Sequence, residues 1–196
     1  MLSVWGMKAR WAFLTVLALY VVWLIFSYRY HFLDGVNLFI HEAGHVFFGF
    51  FGQTIHFLGG TLAQLIFPAL FMGYFWLREQ RFEAFVVLVW FAESLMYAAN
   101  YIADARRMEL PLVGGGIHDW NWLLSRWGVL DQAEGLGTFF HVVASFIAIA
   151  ALFLAGRELR QETTRAHREA VQRRIVRRKV RPAAEGLSDL SRQVHR

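Results

Sequence analysis

Five stretches of this sequence, at about 10–30, 36–52, 57–77, 82–103 and 137–156, stay apolar for long enough to cross a lipid bilayer, or nearly so. Hydrocarbon offers no water to satisfy backbone N–H and C=O groups, so such stretches must fold as helices that bond within themselves. Composition agrees: 57% of the 196 residues are hydrophobic, 17% aromatic and only 18% charged, which excludes an ordinary soluble domain. The expected fold class is therefore an all-α integral membrane protein. The absence of cysteine removes disulfides, thiolate metal ligands and a cysteine nucleophile, leaving His, Asp and Glu as the strong ligands.

Charge sets the expected topology. Residues 157–196 carry twelve Lys/Arg against five Asp/Glu, so the net charge of +5 belongs to the tail. Lys8 and Arg10 precede the first apolar stretch, which has the outline of a secretory signal but lacks a small-x-small cleavage site and is expected to remain as an anchor. Both basic ends belong on the cytoplasmic side, and five crossings would separate them. A sixth crossing, broken in the middle, is expected at 108–130, which is Trp-rich and interrupted by Gly114, Gly115, Gly116, His118 and Asp119. Six crossings place Lys8, Arg10, Arg106, Arg107 and the tail inside, and Arg29, Arg78 and Arg81 outside. Irregular backbone at membrane depth must line a cavity or be buried in protein.

Within the second stretch stands His41-Glu42-Ala43-Gly44-His45. This H-E-x-x-H pattern puts two imidazoles one helical turn apart on the same face, where both can reach one tetrahedral Zn²⁺ at about 2.0–2.1 Å. Glu42 follows the first ligand and can take a proton from an attacking water. Gly44 leaves room for a neighbouring backbone. A chance match to the pattern is expected on the order of once in a hundred such chains. A glutamate in hydrocarbon, however, costs several kcal/mol unless it has a partner or water.

A catalytic zinc needs a third protein ligand. Asp119, halfway along the expected broken crossing, is the first candidate, with His118 beside it as an alternative. Glu93, Tyr97, Asn100 and Asp104 lie four, three and four residues apart, a polar stripe on one face of the fourth helix. Glu93 or Asp104 is a further possible ligand, and Asn100 fits hydrogen bonding or water entry near the histidines. His31 and His56 fall in short connections, His141 opens the last span, and His167 and His195 belong to the tail.

These residues resemble the site-2 protease family of intramembrane zinc metalloproteases, in particular its compact bacterial members. The resemblance rests on the run from Phe39 through His41, Glu42 and His45 to Val46, on Gly59, Gly60, Gln64 and Pro68 opening the next span, and on Leu110, Pro111, Gly114 and Gly115 followed by Asp119. It covers most of residues 36–130. It implies a Zn²⁺-dependent endopeptidase of the bacterial inner membrane that cuts within or beside a transmembrane segment of another protein. In that family the third ligand is an aspartate in an Asp-Gly motif after a proline, on a partly unwound helix. Val113 stands in that place here, so Asp119 would be a displaced substitute. The family also has a Gly-Pro…Asn element whose asparagine contacts substrate or oxyanion; Gln64 is the side-chain amide that can take this part.

Two other functions are compatible with the same residues: a membrane zinc hydrolase of lipids or small amphiphiles, and a non-enzymatic metal-binding scaffold or transporter. The expected layout is a membrane core at 1–156 and a cytoplasmic tail at 157–196. The tail is expected to be helical as far as Pro182 and disordered over 183–196. Its Arg173, Arg174, Arg177, Arg178, Lys179 and Arg181 suit anionic lipid headgroups, at about 1 kcal/mol each, better than nucleic acid.

Overall fold

The apolar stretches become helices in the computed structural model, which describes residues 4–113 and 116–194. They are α1 (Val4–Ser27), α2 (Phe32–Phe48), α3 (Gln53–Leu77), α4 (Arg81–Asp104), α5 (Asp119–Arg126) and α6 (Ala133–Val194), with no strand among the described residues. Four of them, α1, α3, α4 and α6, are long and apolar enough to cross a bilayer. Gly52, at φ 92°, supplies the left-handed conformation that lets the chain turn from α2 into α3.

The α4–α6 pair is the most extensive helix contact. Its seam is built from small residues: Ala92, Ala144, Ala148 and Ala151 are buried in one cluster with Val21 and Leu24 of α1. Lipid tails are as apolar as leucine, so helices in a bilayer associate through close packing, which small side chains allow. Gly137 carries this furthest, since a Cβ there would stand 2.6 Å from the Ala99 carbonyl oxygen.

Polar contacts fix how the helices align. At one end of the bundle Arg10 of α1 bonds to Glu83 near the start of α4 and, at 2.8 Å, to Glu162 of α6. At the other end Ile102 and Ala105 pack with Leu124 of α5 and Ala133 at the start of α6. Thus α1 and α4 run in one direction and α6 returns. Midway, Gln64 of α3 donates to the Ser94 carbonyl (3.1 Å) while the Ser94 hydroxyl donates to the Gln64 carbonyl (2.8 Å), locking α3 antiparallel to α4.

Three sequence expectations change. Among the described residues, 108–130 holds no helix long enough to cross: α5 has 8 residues, or about 12 Å against about 30 Å of hydrocarbon. The chain instead leaves α4 at Asp104, whose carboxylate accepts from the backbone N–H groups of Glu109 and Leu110 (both 3.0 Å) and so turns it across the bundle end. Gly114 and Gly115 of the glycine segment lie outside the described residues. The stretch at 36–52 forms α2, which has 17 residues and is not among the four spanning candidates. Finally, α6 continues past Pro182 to Val194 rather than ending there, because the Arg, Ala, Glu and Leu around the proline are good helix formers. The side chains of Arg177, Arg178, Lys179 and Arg181 lie outside the described residues.

Candidate metal centre

The buried face of α2 is polar. Asp34, Asn37, His41 and Gly44 are its buried residues, spaced three, four and three apart so that they share one side of the helix. Gly44 sits against α3 so tightly that a Cβ would stand 2.3 Å from the Gly59 carbonyl oxygen. Gly60 is just as constrained, because a Cβ there would lie 2.4 Å from His41 Nε2. Gly44, Gly59 and Gly60 therefore let two backbones meet and leave the His41 ring its space.

The two histidines are oriented from behind. His41 Nδ1 lies 3.0 Å from Gln64 Oε1, and His45 Nδ1 lies 2.8 Å from the His56 carbonyl oxygen. A carbonyl oxygen can only accept, so each Nδ1 carries a proton, and in the neutral ring Nε2 is the nitrogen able to ligate a metal. Both Nε2 atoms point at one carboxylate: Asp119 Oδ2 is 3.0 Å from His41 Nε2 and 3.2 Å from His45 Nε2. Donors about 2.0–2.1 Å from a tetrahedral zinc are about 3.3 Å apart, so the spacing fits a metal held between them. His41 and Asp119 are buried and His45 is partly so.

Asp119 reaches this point as the first residue of α5, and its surroundings hold it there. Tyr101 of α4 accepts from the Asp119 backbone N–H (3.1 Å) and donates to Oδ2 (3.4 Å). On the next residue, Trp120 Nε1 donates to Thr61 Oγ1 (3.1 Å), and Asn121 Nδ2 donates to the Ala105 carbonyl (2.8 Å).

The remaining candidates are placed elsewhere. Gln64 is fully buried, with its amide oxygen on His41 Nδ1 and one amide N–H on the Ser94 carbonyl, so it holds the His41 ring from behind. His118 stacks on Tyr101 at 4.1 Å and its Nδ1 accepts from the Asn121 backbone N–H, while Nε2 stands 3.4 Å from Asp104 Oδ2 without hydrogen-bond geometry. Burial pushes the His118 imidazole below its ordinary pKa. Asp104 serves as the cap described above. Glu93 accepts two bonds from Asn37 Nδ2 (3.1 and 2.9 Å) and joins Asp34 and His31 in a second polar cluster. That cluster takes in His31, which by sequence is only a residue of a short connection.

A cavity of about 400 Å³ opens beside His41 and is lined by Glu42, Tyr97, Asn100 and Tyr101 on one side. Residues 110–113, which belong to no regular helix, line it from the other. Glu42 has no hydrogen bond or ion pair to the protein among the described residues. Tyr101, Thr61 and Asn37 were not singled out by sequence; only the spacing of Asp34, Asn37 and His41 on α2 signals such a polar face. No protein-family model, curated protein or solved structure matches the chain. Function is therefore argued from the chemistry of these residues.

Proposed function

We propose that this chain is an intramembrane zinc metalloendopeptidase, with His41, His45 and Asp119 as the metal ligands and Glu42 as the general base. One observation carries the proposal: two imidazoles with their Nδ1 atoms tied off and a buried aspartate converge at metal-ligand spacing beside a cavity lined by a glutamate that has no hydrogen bond or ion pair among the described residues. The donor set of two nitrogens and one carboxylate oxygen suits a catalytic zinc, which keeps its fourth position open. The resemblance to site-2 proteases points the same way, and the position of Asp119 beside His41 and His45 supports it as the displaced third ligand.

Zinc at this site supplies a Lewis acid that polarises a scissile carbonyl and acidifies water. The chain's own residues do the rest. Glu42 takes a proton from the attacking water and returns it to the leaving amine. Gln64 and the His56 carbonyl hold the imidazoles in the tautomer that leaves Nε2 free. Residues 110–113 form a wall of irregular backbone opposite Glu42, against which an unwound segment of substrate can lie extended.

The test is the purified full chain in lipid with a synthetic transmembrane peptide. Wild type should cut the peptide in a zinc-dependent manner, and Glu42→Gln should keep zinc and lose cleavage. Peptide cleavage that survives in Glu42→Gln would refute the assigned base. Zinc-dependent turnover of a lipid ester with no peptide cleavage would make the protein a lipid hydrolase. Bound metal with neither activity would make it a scaffold or transporter.

A further inference from the structure

The helix that carries the H-E-x-x-H residues does not start at a membrane surface. Glu93 lies at the middle of α4, whose ends are marked by Glu83, bonded to Arg10, and by Asp104, which caps the turn toward α5. Asn37, in the second turn of α2, bonds to Glu93 through both carboxylate oxygens, and His31 Nε2 is 3.7 Å from the same residue. α2 therefore begins near mid-depth. From there it rises to Phe48 and turns at Gly52 into α3, whose start lies at the same end as Asp104 because α3 and α4 are antiparallel. Residues 28–31 connect the far end of α1 back down to that mid-depth start. Residues 28–48 thus enter and leave by one face of the bundle.

A helix that starts inside a bilayer exposes backbone groups which water cannot reach, so it needs polar partners on the spot. They are present. The His31 backbone N–H donates to Asp34 Oδ2 (2.9 Å), the Tyr28 hydroxyl donates to Asp34 Oδ1 (2.5 Å), Tyr20 bonds to His31, and Trp90 Nε1 donates to Asn37 Oδ1 (3.1 Å). Asp34, Asn37 and Glu93 have no exposed surface at all. Such a costly cluster in hydrocarbon requires a purpose, and holding the start of a re-entrant helix supplies one.

The count of true crossings then falls to α1, α3, α4 and α6, which keeps both termini on one side. On that side lie Lys8, Arg10, Arg78, Arg81 and the twelve basic residues of 157–196; on the other lie only Arg29, Arg106, Arg107 and Arg126. Restricted to the twenty residues after Gly156, the comparison is still ten against four, so the side holding the termini is cytoplasmic. The walls of the cavity, Tyr28, Arg29 and residues 110–113, belong to the opposite end.

We propose that α2 is a re-entrant helix and that the catalytic cavity opens on the membrane face opposite the two termini. Resting on the protease reading for its chemistry, this assigns the substrate class: membrane proteins whose scissile bond lies in the non-cytoplasmic half of their own span.

The natural absence of cysteine makes the test direct. Single cysteines are placed at Arg29, Glu79, Glu109 and Glu169, in the full chain expressed in bacterial cells, and probed with a membrane-impermeant maleimide before and after permeabilisation. Arg29→Cys and Glu109→Cys should label in intact spheroplasts; Glu79→Cys and Glu169→Cys should label only after permeabilisation. Labelling of Glu79→Cys from outside with Glu109→Cys protected would restore six crossings and overturn the proposal. So would the full reverse pattern, which turns the cavity to the cytoplasm. Labelling reads sidedness with no cleavage involved, so a protein that shows the expected pattern but cuts no peptide fails only the protease reading.

Discussion

Two polar clusters sit along one buried face of α2, and both join histidine to carboxylate in an apolar bundle. In the first, His41 and His45 turn their two Nε2 atoms on one oxygen of Asp119, with each Nδ1 donating to a carbonyl behind it. In the second, every carboxylate oxygen already meets a donor: Asp34 has Tyr28 and the His31 backbone, and Glu93 has Asn37 on both oxygens. Residue type alone does not separate a metal centre from a structural network. Two Nε2 atoms converging on one carboxylate oxygen mark the first and underlie its proposed role as a metal centre, whereas carboxylate oxygens already met by donors mark the second. The first cluster adjoins a cavity; the second lies where a helix begins.

The comparison breaks most visibly at Glu42, which belongs to the first cluster's cavity without being a ligand. Glu42→Gln should lower peptide hydrolysis by about 10²–10⁴-fold while zinc content, read by elemental analysis, stays at the wild-type level. Gly60→Ala comes next: its new Cβ would meet His41 Nε2 at 2.4 Å, and displacing the ring should cost about 100-fold in rate, with a matching loss of zinc affinity. Gln64→Leu removes the acceptor that fixes the His41 tautomer, and competition with a chelator should show zinc affinity reduced by about 10–100-fold. Asn37→Leu acts on the second cluster only. It should destabilise the fold by about 1–3 kcal/mol by leaving Glu93 without donors, seen as a lower unfolding temperature in detergent, with zinc stoichiometry unaltered. A metal-content change in Asn37→Leu as large as that in Gln64→Leu would erase the distinction between the clusters.

Much of the first cluster could be read from the sequence. His41, Glu42 and His45 declare their geometry through a local spacing, and Asp119 stood out because a carboxylate among glycines and tryptophans at an expected membrane depth has few other uses. Its local setting was less legible: Asp119 arrives as the first residue of the short helix α5, after a chain whose exit from α4 is capped by Asp104. Hydropathy reports only that a stretch is apolar, which fits a crossing and a re-entrant helix equally well, so it does not distinguish the two for α2. The second cluster stayed hidden for a different reason. Asp34, Asn37 and Glu93 are isolated polar residues in sequence, and their meaning lies in pairings across up to 56 positions. The polar spacing of Asp34, Asn37 and His41 in an apolar run was the one local trace of it. Gln64 could be singled out by its position, but its bonds to His41 and Ser94 could not be read from the sequence.

Metal content decides the central claim most directly. The full chain, purified in detergent and equilibrated with zinc, should hold one zinc per chain; Asp119→Asn should hold none, and Glu93→Gln should still hold one. Zinc retained in Asp119→Asn but lost in Glu93→Gln would move the metal to the second cluster and contradict the account.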